Sequence, residues 1–304
     1  MLGVEILKVQ KEKIEIVQKM QDYIRENVLM PDFDLDKLYR NIGYSQRHCE
    51  RLFKEILDMT LQEYVKLIIM SNSSSELIES NKNILDIAID YNFETHEGYT
   101  RAFYKIFGIT PNEYRKKQKP IPLFVQYSIK SYYSYIINKE ELPMEKDVNL
   151  CMISSVERPK RKLIFLRSKK ATDYFSYCEE VGCEWEGLLN SISTKFDKAA
   201  ILELPEKLLK EGFSPIAAGV EVPMDFASEI PTGYEIVELE PCKMLYFESE
   251  SFDNEEDFFQ ACQSVIKAVA EYDPQKYGYE YADDLAPRFN FGGVSNFRYA
   301  IPVK

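Results

Sequence analysis

Hydrophobic positions in the first third of the chain recur with helical spacing. Leu52, Phe53, Ile56 and Leu57 fall on one face of a helix, and Tyr99, Ala102, Phe103, Ile106 and Phe107 on one face of another. The spacing predicts a short helix over 34–41, a tight turn holding Gly43, and a second helix over 45–56. It predicts a further pair over 84–91 and 95–107. Asp34, Ser45, Asn83 and Thr95 stand where N-caps belong. The segment 61–79 joins the two pairs as one helix. Its serines at 71–75 are poor helix formers, but their small size permits close helix packing. Beyond residue 150 the pattern becomes mixed. Strands are expected over 162–168, 199–204, 216–222, 234–239, 243–248, 288–291 and 297–303. Helices are expected over 173–193 and 254–271, the second ended by Asp273 and Pro274. The fold class is therefore multidomain. An all-α tandem helix-turn-helix domain spans 1–118, a linker 119–154, and an α+β antiparallel-sheet domain with two pseudo-symmetric halves 155–304. Lys119, Pro120, Ile121 and Pro122 mark the boundary, and the aromatic stretch after them reads as an ordered connection holding Tyr127, Tyr132, Tyr133 and Tyr135. The groove between the two halves is the natural place for a ligand.

The helical part repeats itself at an offset of 50 residues, without a gap. Leu35 and Asp36 match Leu85 and Asp86; Arg51 and Phe53 match Arg101 and Phe103; Thr60, Glu63 and Tyr64 match Thr110, Glu113 and Tyr114. Ser45 matches Thr95 in kind. Thr60 with Glu63, and Thr110 with Glu113, have the spacing of capping boxes. Pro111 then sits at the first helical position, where its missing N–H costs nothing. Gly108 suits the left-handed residue after a helix, and Asp58 stands in the same place in the first copy. Two copies of helix, short turn, helix form the pattern of a DNA reader. Reading helices held ~34 Å apart meet successive major grooves on one face of a duplex. An all-α interaction module is the alternative for the same pattern.

Charge bears on this reading through its distribution. The chain of 304 residues has a formal net charge of −12. Residues 1–120 hold 18 Lys and Arg against 19 Asp and Glu, a net of −1; residues 121–304 hold 20 against 31, a net of −11. Phosphate contacts must then come from a local cluster such as Arg115, Lys116, Lys117 and Lys119. Six cysteines without a C-x-x-C pair, and only His48 and His96, give neither a zinc pattern nor a supported Cys/His nucleophile. The thiols are expected reduced and buried, and no cofactor or metal is expected. The start of the chain is too charged for a leader and no run is apolar enough for a membrane span, so the expected location is the cytoplasm, with no membrane partner.

The run IGYSQRHCERLFKE, followed by ILDIAIDYNFETHEGYTRAFYKIFGITPNEYR, resembles the DNA-binding region of the AraC/XylS family over residues 34–115. Its F-x-K-x-F-G-x-T-P-x-x-Y-R signature is matched in full. Outside that signature, Asn92 departs from the family's pattern where glycine is usual, as do Ile68, Ile69 and the serines of the joining helix. The resemblance implies DNA contacts from Gln46, Arg47, Glu50 and Arg51 on the first reading helix and His96, Glu97, Thr100 and Arg101 on the second. The chemistry suits base edges: arginine can fork onto guanine, glutamine can pair with adenine, and glutamate can accept from cytosine. Arg51 and Arg101 could equally anchor phosphates, and Glu50 and Glu97 could be solvated charges. His48 reads as packed or phosphate-facing.

The order of elements after 155, with AAGVEV at 217–222, PTGYE at 231–235 and the ending YAIPVK, resembles a GyrI-like effector-binding domain. A Rob-like arrangement places such a domain after an AraC-type reader. The resemblance implies an aromatic-lined pocket. Trp185, Glu221, Tyr246, Phe289, Phe291 and Arg298 are the candidate ligand residues, with core packing the alternative for each aromatic. Arg298 stands where the family's pocket acid would lie, which moves the implied ligand from a cation towards an anionic or neutral effector. The expected partners are double-stranded DNA, a small-molecule effector and RNA polymerase. The expected class is a DNA-binding regulator rather than an enzyme. A hydrolase or protein-docking role for the second domain is the alternative, although no carboxylate pair or Ser-His-Asp set announces a hydrolase.

Overall fold

A computed structural model of the chain describes residues 2–30, 32–130, 151–252, 257–292 and 296–304. They fall into two units. One holds the residues up to Lys117 with Phe124–Lys130; the other holds Gln118–Leu123 with Cys151 onwards.

The first unit is helical. Its elements are α1 (Leu2–Asn27), α2 (Leu35–Ile42), α3 (Gln46–Leu57), α4 (Leu61–Glu79), α5 (Ile84–Asp90), α6 (His96–Phe107) and α7 (Pro111–Lys117). The helix starts follow the sequence. Asp34, Ser45, Asn83 and Thr95 each accept a backbone N–H two or three residues ahead. Thr60 and Glu63 close their box at 3.2 and 2.9 Å, and Thr110 and Glu113 close theirs at 3.3 Å in both directions. These bonds hold the carboxyls of Glu63 and Glu113 below the usual range. A carboxylate depressed by folding stabilises the folded state above its unfolded pKa of ~4.3 and loses that contribution as pH falls through the depressed value. Helical circular dichroism should therefore show a falling Tm below about pH 4.3. Glu63→Gln with Glu113→Gln should flatten that slope, and an unchanged slope would show that the boxes carry no charge-dependent stability.

The helix ends follow as well. Gly43, Asp58 and Gly108 all take left-handed φ values, of 77°, 54° and 68°. Asn92, where the family resemblance expects glycine, has φ 63°. Asparagine is among the few non-glycine residues that tolerate this region, so the departure keeps the backbone geometry. The joining helix α4 is unbroken. Ser71, Ser73 and Ser74 are buried in it. Tyr99 Oη donates to Ser73 Oγ at 3.0 Å, and the backbone N–H of Phe124 donates to Ser71 Oγ at 2.7 Å. The serines thus act both as small contacts and as hydrogen-bond partners.

Helix α1 was not among the expected elements. Ile14, Val17, Met20, Ile24 and Val28 bury one side of this segment against Leu38, Leu52, Phe53 and Tyr64. Two buried glutamines on the same side hold the later chain. Gln21 donates to Tyr127 O at 2.9 Å and accepts from Ile129 N at 3.2 Å, while Gln18 accepts from Ser128 Oγ and Lys130 N. The first part of the expected connection is therefore ordered; Tyr132, Tyr133 and Tyr135 lie outside the described residues.

The second unit is built on strands β1 (Cys151–Arg158), β2 (Arg161–Arg167), β3 (Ala200–Glu203), β4 (Ile216–Pro223), β5 (Glu235–Leu239), β6 (Cys242–Ser249), β7 (Arg288–Phe291) and β8 (Arg298–Val303). They form one antiparallel sheet in the order β1-β6-β8-β7-β3-β4-β2-β5. From its middle, one side runs β3, β4, β2, β5 and the other β7, β8, β6, β1. Where the two sides meet, Leu202 pairs with Phe289. Strand β1 was not expected; it starts inside the segment read as linker.

One sheet face carries helices α8 (Tyr174–Val181) and α9 (Glu184–Asn190) over Ile164, Ile201 and Val220, and α10 (Asp257–Glu271) over Leu245, Phe247 and Ile301. The single helix expected over 173–193 is thus two. Asp173 caps the first, and Gly182 at φ 92° ends it. Gly187 of α9 has no room for a side chain, because a Cβ there would lie 1.7 Å from Leu123 O. That close approach seats Pro120 and Ile121 of the boundary segment, with Ile121 N donating to Ser191 Oγ at 2.9 Å. The opposite sheet face buries Leu163, Phe165, Leu202, Met244, Tyr246, Phe289 and Phe291. Among the described residues no helix is long and apolar enough to cross a membrane.

Candidate functional site

Helices α3 and α6 present matching surfaces. Cys49, Leu52 and Phe53 of α3 point into the core, as do Tyr99, Ala102 and Phe103 of α6. The residues one and two positions away turn outward. Gln46, Arg47 and Arg51 are exposed on α3, and His96, Glu97 and Arg101 on α6; Glu50 and Thr100 are half-buried. Six of the eight expected contact residues are thus exposed on these two helices, while Glu50 and Thr100 are partly covered.

Their local bonding sorts them. Glu50 Oε1 accepts from Gln46 at 3.0 Å, Tyr39 Oη at 3.2 Å and Gln62 at 3.4 Å. The Gln46 bond leads in holding the Glu50 carboxyl below its usual range, while partial burial opposes it. Glu50 therefore stays ionised, and Gln46 is pre-positioned beside it. Arg51 Nη2 lies 3.4 Å from His48 Nδ1, and the His48 ring stacks on Tyr44 at 4.8 Å. His48 is half-buried, with one ring face against the exposed Tyr44. Thr100 Oγ1 is buried and has no hydrogen-bond partner among the described residues.

The basic cluster after α6 is smaller than expected. Arg115 Nε donates to Leu77 O at 2.9 Å, closing the end of α4, and its Nη2 is buried. Lys117 lies 3.7 Å from Glu113, and Lys119 pairs with Glu229 at 2.9 Å. Lys116 and Lys117 remain exposed at the end of α7.

In the second unit the six candidate ligand residues divide. Trp185 lies under the helices, edge-on to Tyr177 and Tyr174. It belongs to a different cluster from the others, so the sequence grouping is corrected there. The opposite face brings together Glu221, Tyr246, Phe289, Phe291 and Arg298. Phe291 stacks on Phe289 at 5.7 Å and on Tyr246 at 6.0 Å. Glu221, 5% exposed, meets the wholly buried Arg161 and lies 3.3 Å from Arg158 Nε. Arg161 is fully engaged, also donating to Glu240 O at 3.0 Å, Pro159 O at 3.3 Å and Cys242 Sγ at 3.3 Å. Arg158 Nη2 donates to Tyr246 Oη at 2.5 Å. Burial pushes the Tyr246 phenol up, so it stays protonated. Arg298 is bidentate on Asp197, at 2.7 and 3.2 Å.

Arg158, Arg161 and Asp197 were not read from the sequence, since each is defined by partners far away in the chain. A depression of about 630 Å³ lies elsewhere, between Glu203–Lys207 and Asp283–Arg288, and none of the six candidates lines it. Among the described residues no group of His, Cys, Asp and Glu is arranged to hold a metal ion. Cys49 and Cys242 are buried, but Cys183 is exposed, contrary to expectation.

Comparison with known proteins locates the first unit. A family model described as a helix-turn-helix domain matches residues 38–117. The chain is 34% identical over 84 residues to the transposon Tn10 TetD protein of Escherichia coli, covering 28% of this chain and 61% of that protein. It is 33% identical over 99 residues to the multiple antibiotic resistance protein MarA of Escherichia coli strain K12, covering 33% of this chain and 77% of MarA. To the HTH-type transcriptional activator AarP of Providencia stuartii it is 30% identical over 100 residues, covering 33% and 73%. The solved C-terminal domain of AraT, a response regulator from Geobacillus stearothermophilus, is 23% identical and covers 37% of this chain and 89% of its own, with a TM-score of 0.32.

Proposed function

Because this chain belongs to the AraC family of helix-turn-helix proteins, we propose that it is a sequence-specific regulator of transcription that reads double-stranded DNA with α3 and α6. The observation that carries this reading is the matched pair of outward helix sides, each capped and buttressed alike at an offset of 50 residues. Arg47, Arg51 and Arg101 supply forks for guanine edges, and Gln46 beside Glu50 supplies a paired donor and acceptor. Two readers in one chain make a monomer sufficient for one full site. RNA polymerase is the partner through which such a regulator acts.

The sheet unit, in this reading, is an effector domain of the GyrI-like kind, with halves β2–β3–β4 and β6–β7–β8 related by pseudo-symmetry. The strand order, mirrored about the β3–β7 pair, supports it. Glu221 is held between two guanidiniums and is poorly placed to act as a general base, which favours sensing over hydrolysis.

Selection of sites from randomised duplexes by the purified full chain tests the main reading. The expected product is an enriched motif with two half-sites about 10 base pairs apart, centre to centre. No enrichment at low salt would sink it.

A further inference from the structure

The effector reading leaves the ligand's chemistry open, and the charged face of the sheet opposite the helices narrows it. Arg298 sits on β8 with its guanidinium 4.8 Å from the Phe291 ring centre and 5.8 Å from that of Tyr246. Arg158 also lies over Tyr246, at 5.7 Å, and over Phe196, at 5.5 Å. It is 8% exposed, and its Nε has no aligned acceptor among the described residues although Glu221 is near. Around this fork the cations Arg158, Arg161 and Lys198 sit among the carboxylates Asp197, Glu186, Glu221 and Glu248, so the charge near Arg298 is close to balanced.

The carboxylates differ in how they can be displaced. Glu221 is buried between Arg158 and Arg161. Glu248 accepts from Asn296 Nδ2 at 2.5 Å. Asp197 lies in the segment between α9 and β3, outside any helix or strand. Its side chain is 18% exposed and that of Arg298 is 21%. The fork, the aromatic rings and the sheet beneath them are fixed on strands; the acid now filling the fork is on a loop.

We propose that this face binds a small aromatic carboxylate. Its carboxylate takes the place of Asp197 on Arg298, and as the Asp197 loop moves away its ring reaches Phe291 and Tyr246, which are buried with Asp197 in place. This deepens the effector reading and rests on it. An arginine fork matches a carboxylate with two parallel hydrogen bonds, and the rings supply apolar area beside it. Among the described residues a cationic ligand finds no unengaged carboxylate here. A neutral one would leave the Arg298 fork unpaired once Asp197 moved away, which is costly for a partly buried charge.

Calorimetry on the full chain tests this with 1-naphthoate, its carboxamide and tetraphenylphosphonium. The carboxylate should bind saturably, and the other two should bind at least about tenfold more weakly. Asp197→Asn removes the internal competitor's charge and should tighten naphthoate by about tenfold. Arg298→Ala should weaken it by at least as much, with Arg298→Lys between. Should Arg298→Ala fail to fold, Asp197→Asn alone decides. Equal binding of the carboxamide, weaker binding to Asp197→Asn, binding of the cation alone, or no binding by any probe would each overturn the proposal. Site selection without ligand reports separately on the DNA-binding reading.

Discussion

Glu221→Ala should lower the stability of the sheet unit by about 3–5 kcal/mol, the cost of leaving a buried charge without its partner. Arg161 is wholly buried, and the carboxylate of Glu221 is its only anionic contact among the described residues. Removing that carboxylate strands the guanidinium, and Arg158 loses a neighbouring charge as well. Denaturant unfolding followed by Trp185 fluorescence measures this, since the single tryptophan is packed in that unit. A companion variant separates charge from packing. Arg161→Met with Glu221→Leu replaces the pair by apolar groups of similar size and should recover most of the loss, because such replacements are often neutral or stabilising. A cost below about 1 kcal/mol for Glu221→Ala would mean that water reaches the pair and that the desolvated cluster described above is wrong.

On the DNA side, Arg47→Ala and Arg101→Ala should each reduce discrimination between the preferred and a mismatched base by about 1–3 kcal/mol, or roughly 5- to 150-fold. Both side chains are exposed on the reading helices, and neither has an ion-pair partner among the described residues. Truncating them therefore removes DNA contacts with little damage to the fold. A competition shift assay with single-base variants of the selected site should place the two effects in different half-sites. A uniform loss of affinity across all variants would instead assign these arginines to phosphates. Unchanged affinity together with unchanged preference would place the reading surface on other helices.

Helix boundaries were legible wherever a local rule sets them. Caps, boxes and left-handed C-terminal residues depend on neighbours within four positions, and Ser45, Thr60, Thr95, Thr110 and Gly108 all behave as their types and spacing require. Helix α1 escaped because Gln18 and Gln21 interrupt its apolar stripe, although both are buried and bonded to backbone over a hundred residues away. Strand β1 escaped for a related reason. It is an edge strand, with Met152, Ile153, Ser154 and Ser155 exposed, so no alternation marks a buried face. The expected helix over 173–193 looked continuous because both of its parts bury aromatic residues; the break rests on Gly182.

The candidate sites divided on the same line. The residues proposed to face DNA came from a local motif on α3 and α6. The charged sheet face did not, because Arg161 meets Glu221 across 60 positions and Arg298 meets Asp197 across 101. Trp185 and Tyr246 are both buried aromatics, and only the register of the sheet and its helices puts them on opposite sides.

Arg115 has a consequence for how a target is found in a genome. A guanidinium that closes the end of α4 is not available to shed a counterion at a phosphate. Each phosphate contact steepens the dependence of log K on log salt by about 0.9, and the same contacts set how long a protein lingers on unrelated sequence. With Arg115 engaged at Leu77 and the helical part close to electroneutral, visits to unrelated sequence should be brief. The expected search is by hopping through solution rather than by long slides along the duplex. Occupancy of the operator depends on how well α3 and α6 hold once they arrive.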